Sequence, residues 1–170
     1  MIRKPDHGAI VAAQHGLKRS PKWSWVQKAF EKAFPYCFCC GKKKKFPNGR
    51  GLQTHHIFPY HYVILAGRPD LELDKRNLGN FCEDEKGIVT EDHHLIVGHN
   101  GDFRNFSPTA MEDATKTFHG MSKAKILTDP RYIKKTKNRP KLWKDMTAKE
   151  RKAFRKMLDK IFPFAEQDNG

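Results

Sequence analysis

Thr54-His55-His56-Ile57-Phe58-Pro59 sets two adjacent imidazoles in a short apolar run. Leu52 to Phe58 reads as a β-strand, and Asn77-Leu78-Gly79-Asn80-Phe81-Cys82 reads as its partner. Successive strand residues face opposite ways, so neighbouring histidines on a strand take different jobs. One can ligate a metal while the other, offset, activates water. The connection between the two strands carries a turn signal at Gly67-Arg68-Pro69-Asp70. Downstream, Asp92-His93-His94-Leu95-Ile96-Val97-Gly98-His99 holds three more of the chain's nine histidines.

Upstream, Cys37-Phe38-Cys39-Cys40-Gly41-Lys42 contains Cys-x-x-Cys followed by glycine. Two thiolates at that spacing suit one tetrahedral Zn²⁺, and the glycine permits the tight turn behind the second sulfur. Cys82 is the third ligand available, and the fourth falls to a histidine. The alternative is that Cys37 and Cys40 are packed or free thiols. Cys39 reads as a buried thiol or an outward-facing bystander.

The flanks are helical by pattern. Ser20-Pro21 reads as a helix start, with Trp23, Val26, Phe30, Ala33 and Phe34 at helical spacing and Pro35 as the stop. Ser107-Pro108 opens a second helix with Met111, Ala114, Thr115 and Phe118 on one face. Thr147-Ala148-Lys149-Glu150 fits a capping box. Ala153, Phe154, Met157, Leu158, Ile161 and Phe162 then make an apolar stripe. Residues 120–145 are basic, hold two prolines, and read as an extended arm or loop.

The 170 residues carry 33 Lys+Arg against 19 Asp+Glu, a formal charge of +14. No apolar run approaches the ~20 residues that span a bilayer. Twelve Phe, four Tyr and three Trp are too many aromatics for a wholly disordered chain. The N-terminus has basic residues but no apolar segment after them, which reads as no signal peptide and an intracellular address. The charge is uneven: +10 over residues 1–50, −5 over 51–120, +11 over 121–160 and −2 over 161–170. Basic flanks around an acidic, His-rich middle favour a polyanion partner, nucleic acid before anionic membrane.

Taken together, Thr54–Pro59, Leu73–Cys82 and His93–His99 resemble the HNH endonuclease family, in its zinc-bound subset, over about Trp23 to Phe118. The resemblance implies an α+β fold: a ββα-metal (His-Me finger) core with a zinc knuckle, flanked by N-terminal and C-terminal helices. It implies a basic arm over 1–20, a nuclease domain with its zinc site over 21–119, and a basic arm with an amphipathic helix over 120–170. By position, His55 resembles a catalytic-metal ligand and His56 the general base. Asn77 resembles the asparagine that braces the hairpin and orients that base. His94 resembles the helix-borne ligand, with His99 as a second. Where zinc-bound members often carry a cysteine, this chain has His93, so the implied structural site is Cys37, Cys40, Cys82 and His93. Five residues apart on an ideal α-helix, His94 and His99 diverge by about 140°. Gly98 is the residue able to end or distort the helix and bring His99 back.

The implied activity is metal-dependent hydrolysis of DNA phosphodiester bonds, by nicking or double-strand cleavage, with water activated by His56 and one divalent ion. Imidazole ligands do not select that ion: Mg²⁺ or Mn²⁺ leads, with Ni²⁺, Co²⁺ and Zn²⁺ as alternatives. The expected partner is double-stranded DNA, and the expected setting is the cytoplasm of a bacterium or phage-infected cell. Lys42, Lys43, Lys44, Lys45, Arg50, Lys134, Lys135, Lys137 and Arg139 are the expected phosphate contacts. His61 reads as structural, while His7, His15 and His119 read as surface residues. Trp23, Trp25 and Phe30 read as helix-core packing. The rival expectation is a zinc-stabilised nucleic-acid-binding protein without catalysis, and a basic RNA-binding protein is a more distant one.

Overall fold

The structure, a computed structural model, describes residues 13–43, 51–83 and 91–164. It is a mixed α+β arrangement around one two-stranded antiparallel sheet. Strand β1 (Leu52–His56) pairs with β2 (Leu78–Cys82) in the register His55 opposite Gly79 and His56 opposite Leu78. Both strands end where the sequence pattern turns: β1 before Pro59, β2 at Cys82. Every residue of β2 is buried, so the sheet is covered on both faces.

Helix α1 (Trp23–Ala33) covers one face. Val26 and Phe30 project from it onto Leu78, and Phe34 and Phe38 close the edge of that cluster. Polar contacts fix the docking. The Thr54 hydroxyl lies 3.1 Å from a Glu31 carboxylate oxygen and 2.8 Å from Asn80 Oδ1, and Asn80 Nδ2 donates to the Phe34 carbonyl at 2.7 Å. The helix begins two residues later than Ser20-Pro21 suggests. Ser20 instead makes a turn, its hydroxyl accepting from the Lys22 amide at 3.2 Å and its own amide donating to Glu72 at 2.8 Å. Trp25 corrects the packing expectation, because it points outward and is 72% exposed.

The connection from β1 to β2 is short helical pieces: α2 (Tyr60–Leu65) and 3₁₀ turns at Pro69–Glu72 and Lys75–Asn77. Beyond β2 the chain makes a π-helical turn over His94–Gly98. Helix α3 (Ala110–Glu112) then runs into a second π-helical turn over Asp113–Thr117. That turn shifts the expected apolar face by one residue: Ala110, Ala114 and Phe118 are buried, whereas Thr115 is exposed.

Residues 120–145 depart from the extended arm that their charge suggests. They form α4 (Lys123–Thr128), α5 (Pro130–Lys137) and a 3₁₀ turn at Trp143–Asp145. Ser122 and Asp129 cap the two helices through the Lys125 and Arg131 amides. Ile126, Tyr132 and Trp143 insert from this segment into the main core. The reason is visible in the spacing: three large apolar residues suffice to dock a basic segment, while Lys125, Arg131, Lys134 and Lys137 remain exposed.

Helix α6 (Ala148–Ile161) starts at the expected capping box: Thr147 Oγ1 accepts from the Glu150 amide at 3.2 Å, and Glu150 accepts from the Thr147 amide at 2.8 Å. Its stripe is narrower than the pattern suggests, with Phe154, Leu158 and Phe162 buried and Ile161 exposed. Phe154 lies within an aromatic cluster of Phe58, Tyr62, Phe106 and Trp143. A fully buried Arg68 latches the helix end, bonding Asp70 and Asp159 and donating to the Phe162 carbonyl at 2.9 Å.

Phe58 follows directly from β1, so α6 and the histidine-bearing strand share one core. Phe154→Ala removes an aromatic ring from its centre and should cost about 3 kcal/mol of stability in denaturant unfolding. A loss under about 1 kcal/mol would show α6 to be peripheral.

Candidate functional site

Two groups of metal-ligating side chains meet around β2. Cys37, Cys40, Cys82 and His93 bring one donor atom each within 4.8 Å of one another, and so do His55, His94 and His99. Either group can hold a metal ion. Both groups are built from residues that the sequence reading placed there.

The first group grows from the knuckle after α1. The Gly41 amide donates to the Cys37 carbonyl at 2.8 Å, and the Cys37 amide donates to the Lys42 carbonyl at 3.2 Å. Gly41 sits at φ +68°, a conformation that other residues adopt only at a cost. The Phe38 amide bonds the Asn80 carbonyl at 2.9 Å, which holds the knuckle against β2. His93 completes the group: its Nδ1 lies 3.1 Å from Cys82 Sγ and 3.7 Å from Cys37 Sγ. Its Nε2 donates to the Met121 carbonyl at 3.1 Å. With Nε2 engaged, Nδ1 is the nitrogen that faces the sulfurs, carrying a proton in the metal-free site and offering its lone pair once a metal ion takes the proton's place. Burial opposes charging His93, but hydrogen bonding to Cys37, Cys39 and Cys40 outweighs it and pushes the ring up to about 12. Three sulfurs and an imidazole nitrogen this close make a donor set that could hold a metal ion such as zinc.

Cys39 stays outside this group. It is buried, its thiol donates to the Phe118 carbonyl at 3.4 Å, and burial raises its pKa, so it keeps its proton.

The second group sits on the opposite face of β1 from α1. The His55 ring lies 5.2 Å from that of His94 and 4.7 Å from that of His99, and those two are 4.8 Å apart. The π-helical turn resolves the divergence expected of an α-helix. The His99 amide donates to the His94 carbonyl, five residues back, at 3.2 Å. In such a turn residues five apart come onto one side, and single π turns are frequent at functional sites. Gly98 makes room as well as bending the chain: a Cβ there would stand 3.2 Å from His55 Cε1.

Each imidazole is held by a partner on its far side. His94 Nδ1 lies 3.2 Å from a Glu83 carboxylate oxygen, and His99 Nδ1 donates to the Asn105 carbonyl at 2.7 Å. His55 bonds the Gly98 backbone carbonyl. These contacts select the tautomers whose Nε2 lone pairs remain for a ligand. His55 Nε2 is buried and makes no hydrogen bond. A buried, unpartnered nitrogen is costly unless something binds it, and three neutral imidazoles suit a divalent transition metal. Burial, then the positive potential of His99 and His94, holds His55 well below the ordinary imidazole range. It is therefore neutral, as a ligand must be.

His56 does not join that trio. It leaves β1 on the α1 face and stacks on Trp23 with ring centroids 4.3 Å apart. Its Nε2 lies 2.7 Å from the Glu72 carbonyl, which can only accept, so Nε2 carries the proton and Nδ1 is the basic nitrogen. Asn77 is fully buried and braces the bend after β1. Its Oδ1 accepts from the Phe58 amide at 2.8 Å, and its Nδ2 donates to the carbonyls of Phe58 at 2.9 Å and Leu71 at 3.0 Å. All of its polar groups are turned to backbone, so it positions rather than reacts.

The expected phosphate contacts divide. Lys42, Lys43, Lys134 and Lys137 are exposed. Lys135 is committed internally, 3.0 Å from the buried Asp113 carboxylate and 2.7 Å from Thr109 Oγ1. Arg139 is half-buried and donates twice to the Asn100 carbonyl, at 3.0 and 2.8 Å. Lys44, Lys45, Arg50 and His7 lie outside the described residues. His61 is buried against Tyr62, in keeping with a structural role, and His15 and His119 are exposed. The sequence reading missed Glu83, Gly98 as a contact for His55, Asn105, and Met121. Glu83 had a signal, being the acid beside Cys82. The others act through backbone carbonyls, which carry no residue-type signature.

No helix among the described residues is long and apolar enough to cross a membrane. The chain matches no protein-family model, no curated protein and no solved structure.

Two separate sites predict separable metal loss. His94→Ala should keep the metal held by the cysteines, and Cys37→Ser with Cys40→Ser should lose it, as read by elemental analysis of purified protein. Glu83→Gln should weaken Co²⁺ binding at the histidine trio by about 10-fold or more while leaving that metal in place. Equal losses in all three variants would contradict two independent sites.

Proposed function

We propose that the protein is a metal-dependent DNA endonuclease of the HNH type, with a structural zinc at Cys37, Cys40, Cys82 and His93. The observation that carries this reading is the trio His55, His94 and His99, whose donor atoms lie within 4.8 Å of one another, with His56 following His55 in the chain. A protein that only bound nucleic acid would need the cysteine group and the basic flanks. It would have no use for two buried imidazoles and a half-buried third gathered at one point, one of them with an unpartnered nitrogen. The order β1, β2 and His94-bearing turn is also the order of a ββα-metal core.

Hydrolysis of a phosphodiester needs a base for water and stabilisation of charge on phosphate and leaving group. A divalent ion on the trio would supply Lewis-acid charge to a phosphate oxygen and to the departing O3′. His56 takes the water proton at Nδ1. The Glu72 carbonyl stabilises the imidazolium that results, because it accepts from Nε2 at 2.7 Å. Trp23 holds the ring plane, and Asn77 holds the bend that follows. Arg19 lies between the rings of Trp23 and Tyr60, at 4.7 and 4.2 Å, and adds positive potential near the base. Products would carry a 5′-phosphate and a 3′-hydroxyl. The exposed lysines of the flanks track phosphates without reading sequence.

The test is nicking of supercoiled plasmid with added Mg²⁺ or Mn²⁺. Wild type should nick, and His56→Ala should be slower by about 10²-fold or more. His94→Ala should be inert at metal concentrations that saturate wild type. A wild type inert with every divalent metal, or a fully active His56→Ala, would refute the enzyme reading. DNA binding that persists in an inert wild type would favour the binding-protein alternative.

A further inference from the structure

The loop after His99 is held from the C-terminal third of the chain. His99 Nδ1 donates to the Asn105 carbonyl at 2.7 Å, so the stretch from Asn100 to Asn105 decides how the His99 ring is turned. That stretch starts with two residues at positive φ, Asn100 at +54° and Gly101 at +77°. Gly101 is packed tightly, since a Cβ there would stand 2.7 Å from the Tyr132 hydroxyl and 3.4 Å from Arg139 Nη2. Arg139 donates from Nε and Nη2 to the Asn100 carbonyl at 3.0 and 2.8 Å. Next to it, the Pro140 carbonyl accepts from Asn105 Nδ2 at 3.2 Å. Charged donors make the stronger hydrogen bonds, and two on one carbonyl fix its direction.

We propose that Arg139 is a positioning residue for the histidine trio. Through the Asn100 carbonyl it fixes the loop whose Asn105 carbonyl orients His99, and the bond from Asn105 to Pro140 holds the loop's other end. Arg139 thus acts inside the protein, although its charge and its basic surroundings suggest a phosphate contact. The proposal rests on the trio binding a divalent ion and does not require DNA cleavage.

The experiment titrates the full-length, zinc-loaded protein with Co²⁺, followed by visible absorption and calorimetry, with His94→Ala as the control that removes the site. Arg139→Ala should weaken Co²⁺ about 10-fold and change the absorption spectrum of the bound ion. Arg139→Lys, which keeps a charged donor, should recover part of the affinity. Asn105→Ala keeps its backbone carbonyl but loses the tie to Pro140, and should weaken Co²⁺ less than Arg139→Ala. Thermal unfolding and zinc content identify any variant that has merely lost its fold; the lysine and Asn105 variants then carry the test. Unchanged Co²⁺ affinity and spectrum in Arg139→Ala, with a salt slope of DNA binding reduced by about one, would overturn the proposal in favour of a phosphate contact. Wild type that binds no Co²⁺ sensitive to His94→Ala would overturn both the proposal and the metal reading beneath it.

Discussion

Two dipeptides carry the architecture of the site. Cys82-Glu83 and His93-His94 each give their first residue to the cysteine group, and their second residues meet at the histidine trio, His94 as a member and Glu83 as its partner. Cys82 Sγ lies 3.1 Å from His93 Nδ1, while Glu83 lies 3.2 Å from His94 Nδ1. A cation at the cysteine group ties the end of β2 to the start of the π-helical turn. The same tie holds Glu83 opposite His94. The main core contains the sulfurs of Cys37 and Cys82 as packing elements, so a metal ion bound there would be part of the fold and not an addition to it.

The histidine trio depends on contacts made behind it. Three imidazoles from β1, from the π-helical turn and from its end would be free to rotate without their outer partners. A carboxylate holds one, and backbone carbonyls hold the other two. The carbonyl partners tie ring orientation to the folding of Gly98 and of the Asn100–Asn105 loop. The aromatic cluster of Phe58, Tyr62, Phe106 and Phe154 supports both ends of this arrangement, since Phe58 follows β1 and Phe106 follows Asn105. His56 answers to a different set of contacts, with Trp23 on one side and the Glu72 carbonyl on the other. This separation gives adjacent residues on one strand two different chemical environments, as the proposed roles of ligand and base require.

The strands were legible because alternation and turn residues bound them: Leu52–His56 and Leu78–Cys82 fall inside the stretches that the pattern marks. The capping box at Thr147 was legible because its chemistry is local. Cys37, Cys40 and Cys82 were legible from their spacing, whereas His93 and the trio of His55, His94 and His99 were placed by family resemblance. What the pattern did not reveal was long-range. The convergence of His94 and His99 needed a π-helical turn, and only Gly98 hinted at it. Residues 120–145 looked like an arm because their charge outweighs three buried apolar side chains. Arg139 looked like a phosphate contact because a carbonyl 39 residues away leaves no mark in the sequence. The helix expected at Ser20 starts at Trp23 because residues 20–22 close a tighter turn, the Trp23 amide bonding the Ser20 carbonyl at 3.0 Å.

The central claim is that His93 and His94, neighbours in sequence, serve two different metal ions. Anomalous diffraction from crystals of the zinc-loaded protein soaked in Mn²⁺, recorded at the Zn and Mn edges, tests it directly. Two peaks are expected: zinc among Cys37, Cys40, Cys82 and His93 Nδ1, and manganese at the Nε2 atoms of His55, His94 and His99. A single ion bound by both His93 and His94, or no ion at the trio, would contradict it.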